Sequence, residues 1–153
     1  MTHALPSSAH RLQLLLMMLV GLFALSFSND AAAQAQSTSV RVDVILASNA
    51  GTGVDAQLSA HRGRLLAQFP NFDSFRSAGV QRLNIDVGGQ AGFTIPGGGR
   101  VTLTYVSAHG GRSTFDVAIP GGSARVETRP GGLFFVGGPR SREGTVILMI
   151  SAG

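Results

Sequence analysis

The sequence predicts a mainly β domain of the α+β kind: an antiparallel meander or sandwich-like sheet of about seven strands, with one helix after the first strand. Three observations predict it. Short runs of alternating apolar residues recur from Val40 to the end of the chain, glycine pairs or triplets separate most of them, and a helical pattern occurs once in that part of the chain, between Asp55 and Phe69.

Residues 1–35 stand outside this pattern. Arg11 is the only full charge before an apolar run from Leu14 to Phe27, and a small-residue tail comes after it. This is the layout of a secretory signal peptide. The frames Ala31-Ala32-Ala33 and Ala33-Gln34-Ala35 offer cleavage after Ala33 or Ala35, leaving residues 36–153 as one β-rich domain. A retained anchor fits less well, because the run is about 14 residues where a spanning helix needs roughly 20. The expected location is therefore periplasmic or secreted, with no membrane span after cleavage. The chain has no cysteine, so a lipid-modified cysteine at the cleavage site is excluded and the core must hold without disulfides.

Within the domain, Val40, Val42, Val44 and Leu46 alternate with Arg41, Asp43 and Ile45, the two-residue period of a strand. Asp55 is placed to cap a helix after Gly51 and Gly53, with Leu58, Leu65, Leu66 and Phe69 toward one face and Pro70 as the stop. Leu83, Ile85 and Val87 then alternate up to Gly88-Gly89. Phe93 and Ile95 precede Pro96, Val101 to Tyr105 lead to His109-Gly110-Gly111, and Phe115 to Ile119 lead to Pro120-Gly121-Gly122. A weaker strand surrounds Val126, Leu133 to Val136 ends at Gly137-Gly138-Pro139, and "TVILMIS" closes the chain. Glycine at these junctions suits tight hairpins, which need positive φ. The last run is apolar on both faces and belongs at the centre of a sheet or between layers.

All twelve basic residues are arginine, against eight acidic residues, for a net charge of +4. The arginines are spread from Arg41 to Arg142, without the single basic face or helix of a nucleic-acid footprint, and no nucleic-acid partner is expected. Gly51-x-Gly53-x-x-Ala56 resembles a dinucleotide turn, with Asp73 at about the distance of a ribose-binding acid. Beyond Asp73, however, the chain continues as a hairpin series and not as a second βαβ unit, so the turn reads as an ordinary strand-to-helix connection with no cofactor. Without lysine a P-loop is excluded. His61 and His109 lie in no nucleophile motif and supply no zinc ligand set, so no catalytic or metal-binding residue is assigned. Asp43, Asp73, Asp86, Asp116, Glu127 and Glu143 are free to meet in the fold, which keeps a small exported hydrolase as the alternative function. A glycan-binding module is a third option, although the chain has no Trp and one Tyr.

Two aromatic segments remain. "FPNFDSFR" spaces Phe69, Phe72 and Phe75 three apart, and packing under the sheet is the expected role. In "GGLFFVGGPRSREG", Phe134 and Phe135 point to opposite faces. Phe135, if uncovered, would stand with Arg140 and Arg142 as the candidate contact for a partner, expected to be another envelope protein.

The segments "ILASNAGTGVDAQL", "FPNFDSFR", "FTIPGGGRVTL" and "GGLFFVGGPRSREGTVILMISAG" resemble a pattern in a group of small, uncharacterised exported proteins of proteobacteria and related bacteria. The resemblance covers nearly the whole of residues 36–153. It implies export and one domain, and it brings no functional residue with it. The function expected from the sequence is a non-catalytic binding or structural domain of the bacterial cell envelope.

Overall fold

Two sheets share the nine strands of the computed structural model, which describes residues 36–153. The expected signal peptide lies outside the described residues. In chain order the elements are β1 (Ser37–Ser48), β2 (Gly53–Val54), a 3-10 helix (Ala56–His61), α1 (Arg62–Gln68), β3 (Ser74–Asp86), β4 (Gln90–Thr94) and β5 (Arg100–His109). Then come β6 (Arg112–Ile119), β7 (Gly122–Thr128), β8 (Leu133–Ser141) and β9 (Gly144–Ala152). The first sheet has the order β2-β3-β1-β9-β8 and the second β4-β5-β6-β7. The domain is mainly β with its helical segment after the first strand.

The meander expected from the glycine turns exists only in the second sheet. There the β5–β6 hairpin turns through Gly110 (φ 58°) and Gly111 (φ 71°), the pair of positive φ values that a two-residue turn matched to strand twist requires. In the first sheet, β1 lies between β3 and β9 and is antiparallel to both. The reason is burial. From Val42 to Ala47, and from Val146 to Ile150, every residue is buried, so β1 and β9 need cover on both faces and take central positions.

That cover comes from opposite sides. Val40, Val42, Val44 and Leu46 of β1 and Val146, Leu148 and Ile150 of β9 face the second sheet, packing with Val101, Leu103, Phe115 and Val117. Tyr105 stacks on Phe115 with ring centroids 4.9 Å apart, and Phe134 adds to the stack at 6.4 Å from Phe115. On the other face, Ile45, Ala47, Ile147 and Met149 are covered by Leu58 and Leu65 of the helical segment and by Phe75. The result is three layers: helical segment, first sheet, second sheet.

Three local expectations are corrected. The helical stretch is a 3-10 helix followed by a short α-helix, and Asp55 makes no side-chain cap. Its carboxylate instead accepts a hydrogen bond from the Ser77 amide at 2.9 Å, tying the loop to β3. Leu66 is 38% exposed, because Leu65 takes the inward position of that turn. Val87 stands in the turn after β3 and is exposed, while β3 itself starts much earlier, at Ser74, and takes Phe75 out of the "FPNFDSFR" loop.

Candidate functional site

The sandwich ends in β2, β4, β7 and β8. Because β2 pairs only with Ser74 and Phe75, the rest of β3 is open too, protected by Arg76, Arg82 and Asp86 and by a register shift opposite Val44 and Ile45. β2 has two residues, and β4 has five. β7 carries Arg125 and Glu127, paired with Asp116 and Arg112 on β6 at 2.6 and 3.0 Å. Charges and shortness are the usual protection of an exposed edge. β8 has neither over its first half: Leu133, Phe134, Phe135 and Val136 carry no charge and no proline. Only after them does the ladder to β9 shift register, between Gly137 and Arg140.

The register of that ladder shows which backbone groups stay open. Ala152 donates its amide to the Gly132 carbonyl, and Leu133, Phe134 and Phe135 sit opposite Ser151, Ile150 and Met149. In an antiparallel pair the hydrogen-bonded residues alternate. Phe134 and Val136 therefore bond to β9, whereas the amides and carbonyls of Leu133, Phe135 and Gly137 point away from it. A groove of about 770 Å³ lies beside them, between this stretch of β8 and Arg64, Ala67 and Gln68 of α1.

The groove meets a second cleft of about 380 Å³, lined by more charged and polar side chains, and Arg64, Gly131 and Leu133 line both. The cleft is built between the helical layer and the first sheet. On that face the cross-strand row Leu133–Ser151–Arg41 lies next to the row Phe135–Met149–Asp43, and Gln57, His61 and Arg64 wall it from the helical segment. Asp43 is only 4% exposed. Its two carboxylate oxygens accept hydrogen bonds from Arg41 Nε and Nη2 at 2.8 and 2.7 Å. The bonding holds the Arg41 guanidinium above the ordinary arginine value, and the Arg41 side chain remains about half exposed. Arg41 is thus a cation fixed in position by a buried anion, with its Nη1 donors making no hydrogen bond among the described residues.

The three residues singled out from the sequence do not form one corner. Phe135 is half-buried, its ring meeting Phe69 edge-on at 5.8 Å, and it lines the groove beside α1. Arg140 and Arg142 are exposed and lie together near Pro96, Gly97 and Glu143, at the other end of β8. Arg41, Asp43, His61 and Arg64 were not recognisable as a group. The one signal was Asp43, a carboxylate within a run where its neighbours on both sides are apolar.

Three of the other carboxylates are already paired. Asp116, Glu127 and Glu143 each meet an arginine at the surface, and among the described residues no group of three or more His, Asp or Glu could hold a metal ion. The Gly51/Gly53 turn leads to a two-residue parallel pairing of Gly53 and Val54 with Ser74 and Phe75. The Gly53 amide there bonds to the backbone carbonyl of Asp73. No protein-family model, curated protein or solved structure matches this chain.

Proposed function

We propose that this chain is an exported, non-catalytic binding domain of the bacterial cell envelope that holds an extended segment of another protein along the open edge of β8. The observation that carries this reading is the unprotected apolar stretch Leu133–Val136, with outward backbone groups at Leu133, Phe135 and Gly137 and a groove beside it. Strand addition draws affinity from main-chain hydrogen bonds and specificity from side-chain pockets next to the edge. Export rests on the layout of residues 1–35. The alternative, a small hydrolase, needs two carboxylates in one concavity. The groove and the polar cleft together contain one, Asp43, and Arg41 already occupies it.

The test uses a substitution that closes the edge without breaking the sheet. The Leu133 amide makes no bond to β9, so Leu133→Pro removes a donor that only an added strand would use. Cross-linking in the native envelope, read by mass spectrometry, is expected to capture a specific protein with the wild type and to lose it with Leu133→Pro, while near-ultraviolet circular dichroism stays native. The same capture with a natively folded Leu133→Pro would sink the edge reading.

A further inference from the structure

The charges around β8 narrow what that edge can hold. At the Leu133 end stand Arg64 and Arg41, with His61 beside them; at the far end stand Arg140 and Arg142, together with Glu143, which pairs with Arg76 at 3.7 Å and leaves that end net cationic. The single carboxylate at the Leu133 end is Asp43, already engaged by Arg41. Between the cationic ends the strand is apolar.

A second copy of the chain is a poor occupant of such an edge. Pairing β8 with itself antiparallel about Phe135 would set Leu133 of one copy opposite Gly137 of the other, so that the Arg64 end of each faces the Arg140 end of its partner. Like charges brought together oppose that pairing. A negatively charged chain gains from both ends.

Asp43 supplies an independent argument. A buried carboxylate on a sheet face is retained at a free-energy cost unless it is well paired. Its partner sits two residues earlier on the same face of β1, half exposed, and lines the cleft. A fixed guanidinium with remaining in-plane donors is suited to recognising a carboxylate.

We infer that the partner segment is an extended acidic peptide, apolar at its centre, whose carboxylate seats between Arg41 and Arg64 in the cleft at the Leu133 end of β8. This rests on the edge-pairing function proposed above. The peptide lies along the outward groups of Leu133, Phe135 and Gly137, and its acidic end turns into the cleft. Acidity thereby sets both partner choice and association rate.

The experiment is an amide-detected nuclear magnetic resonance titration of the isotopically labelled protein with two synthetic peptides. One alternates valine and threonine between terminal aspartates; the other has asparagines in their place. The aspartate peptide is expected to shift the Leu133, Phe135 and Gly137 amides saturably and to bind at least about tenfold more tightly than the asparagine peptide, the range of a charge-assisted hydrogen bond. Arg64→Gln changes an exposed side chain and should remove most of that difference. Arg125→Gln, on β6's neighbour β7 in the other sheet, should leave it intact. Equal binding of the two peptides, insensitive to Arg64→Gln, would overturn the acidic specificity and leave the edge function standing. No shift on β8 with either peptide at millimolar concentration would overturn both. Concentration-dependent broadening of the β8 amides without peptide would make a second copy the occupant and overturn the inference.

Discussion

Arg41 and Asp43 are bonded side by side on one face of β1, with Nε and Nη2 of the guanidinium 2.8 and 2.7 Å from the two carboxylate oxygens. The pair is unequal in burial: the Asp43 side chain is 6% exposed and that of Arg41 48%. Removing Arg41 leaves a buried carboxylate without its donors, whereas removing both charges leaves nothing orphaned. Arg41→Ala should therefore destabilise the domain by about 1–3 kcal/mol. Arg41→Thr combined with Asp43→Val should cost less than that single change. Urea unfolding of the variants checks it; a double variant weaker than Arg41→Ala would contradict this account.

Phe115, which stacks with Phe134, and Phe135 on the opposite face of β8 differ in burial. Phe115 is fully buried between the sheets, against both Tyr105 and Phe134, while Phe135 is half-buried at the margin of the helix-side core, with Phe69 as its one ring partner. Phe115→Ala should cost about 3–5 kcal/mol. Phe135→Ala should cost about 1–2 kcal/mol, from partial burial and one edge-on ring pair. Thermal or chemical unfolding checks the order. The second change leaves enough native protein for binding to be measured separately from folding.

How much of this was legible in the sequence depends on the range of the interaction that fixed it. The strand periods, the central place of "TVILMIS" and the opposite faces of Phe134 and Phe135 follow from side-chain alternation, which is local, and they hold. The order of the first sheet is not local. β1 pairs with β3 and β9, and the glycine turns that suggest a meander say nothing about which distant strands need cover on both faces. Asp55 fits a cap by position, yet its carboxylate bonds to Ser77, 22 residues away. The polar cleft was invisible for the same reason: Arg41 and Ser151 become neighbours only through the β1–β9 pairing, and His61 and Arg64 reach them only because the helical segment packs over that face.

Gly144 opens β9 where the β8–β9 hairpin passes β1. Its φ is +142°, and a Cβ there would lie 2.5 Å from the Ala47 carbonyl oxygen, which is backbone and cannot move aside. Gly98, in the turn between β4 and β5, also has positive φ (+83°), but a Cβ there meets nothing within 4 Å. Both Gly→Ala changes strain the backbone, and Gly144→Ala adds a collision in the central sheet. Gly144→Ala should lower the thermal midpoint by clearly more than Gly98→Ala, with hydrogen exchange quickening along β8 and β9. Equal effects would mean that the hairpin relaxes freely there.

Asp116 and Arg125 lie opposite each other on the outer face of the second sheet, with both guanidinium contacts at 2.6 Å. Hydrogen bonding from Arg125 holds the Asp116 carboxyl below its ordinary carboxylate value. A lowered folded-state value means that the pair's contribution is fully present above the ordinary carboxylate range and is lost as pH falls through the lowered value. Because both groups are solvated, the contribution is small and screened by salt. In a carboxyl-carbon titration, Arg125→Gln should return Asp116 to the ordinary range. The thermal midpoints of wild type and variant should differ near neutral pH and converge in acid, once Asp116 is protonated in both. A gap that persists unchanged in acid would show that Arg125 acts through its aliphatic stem on the sheet and not through its charge.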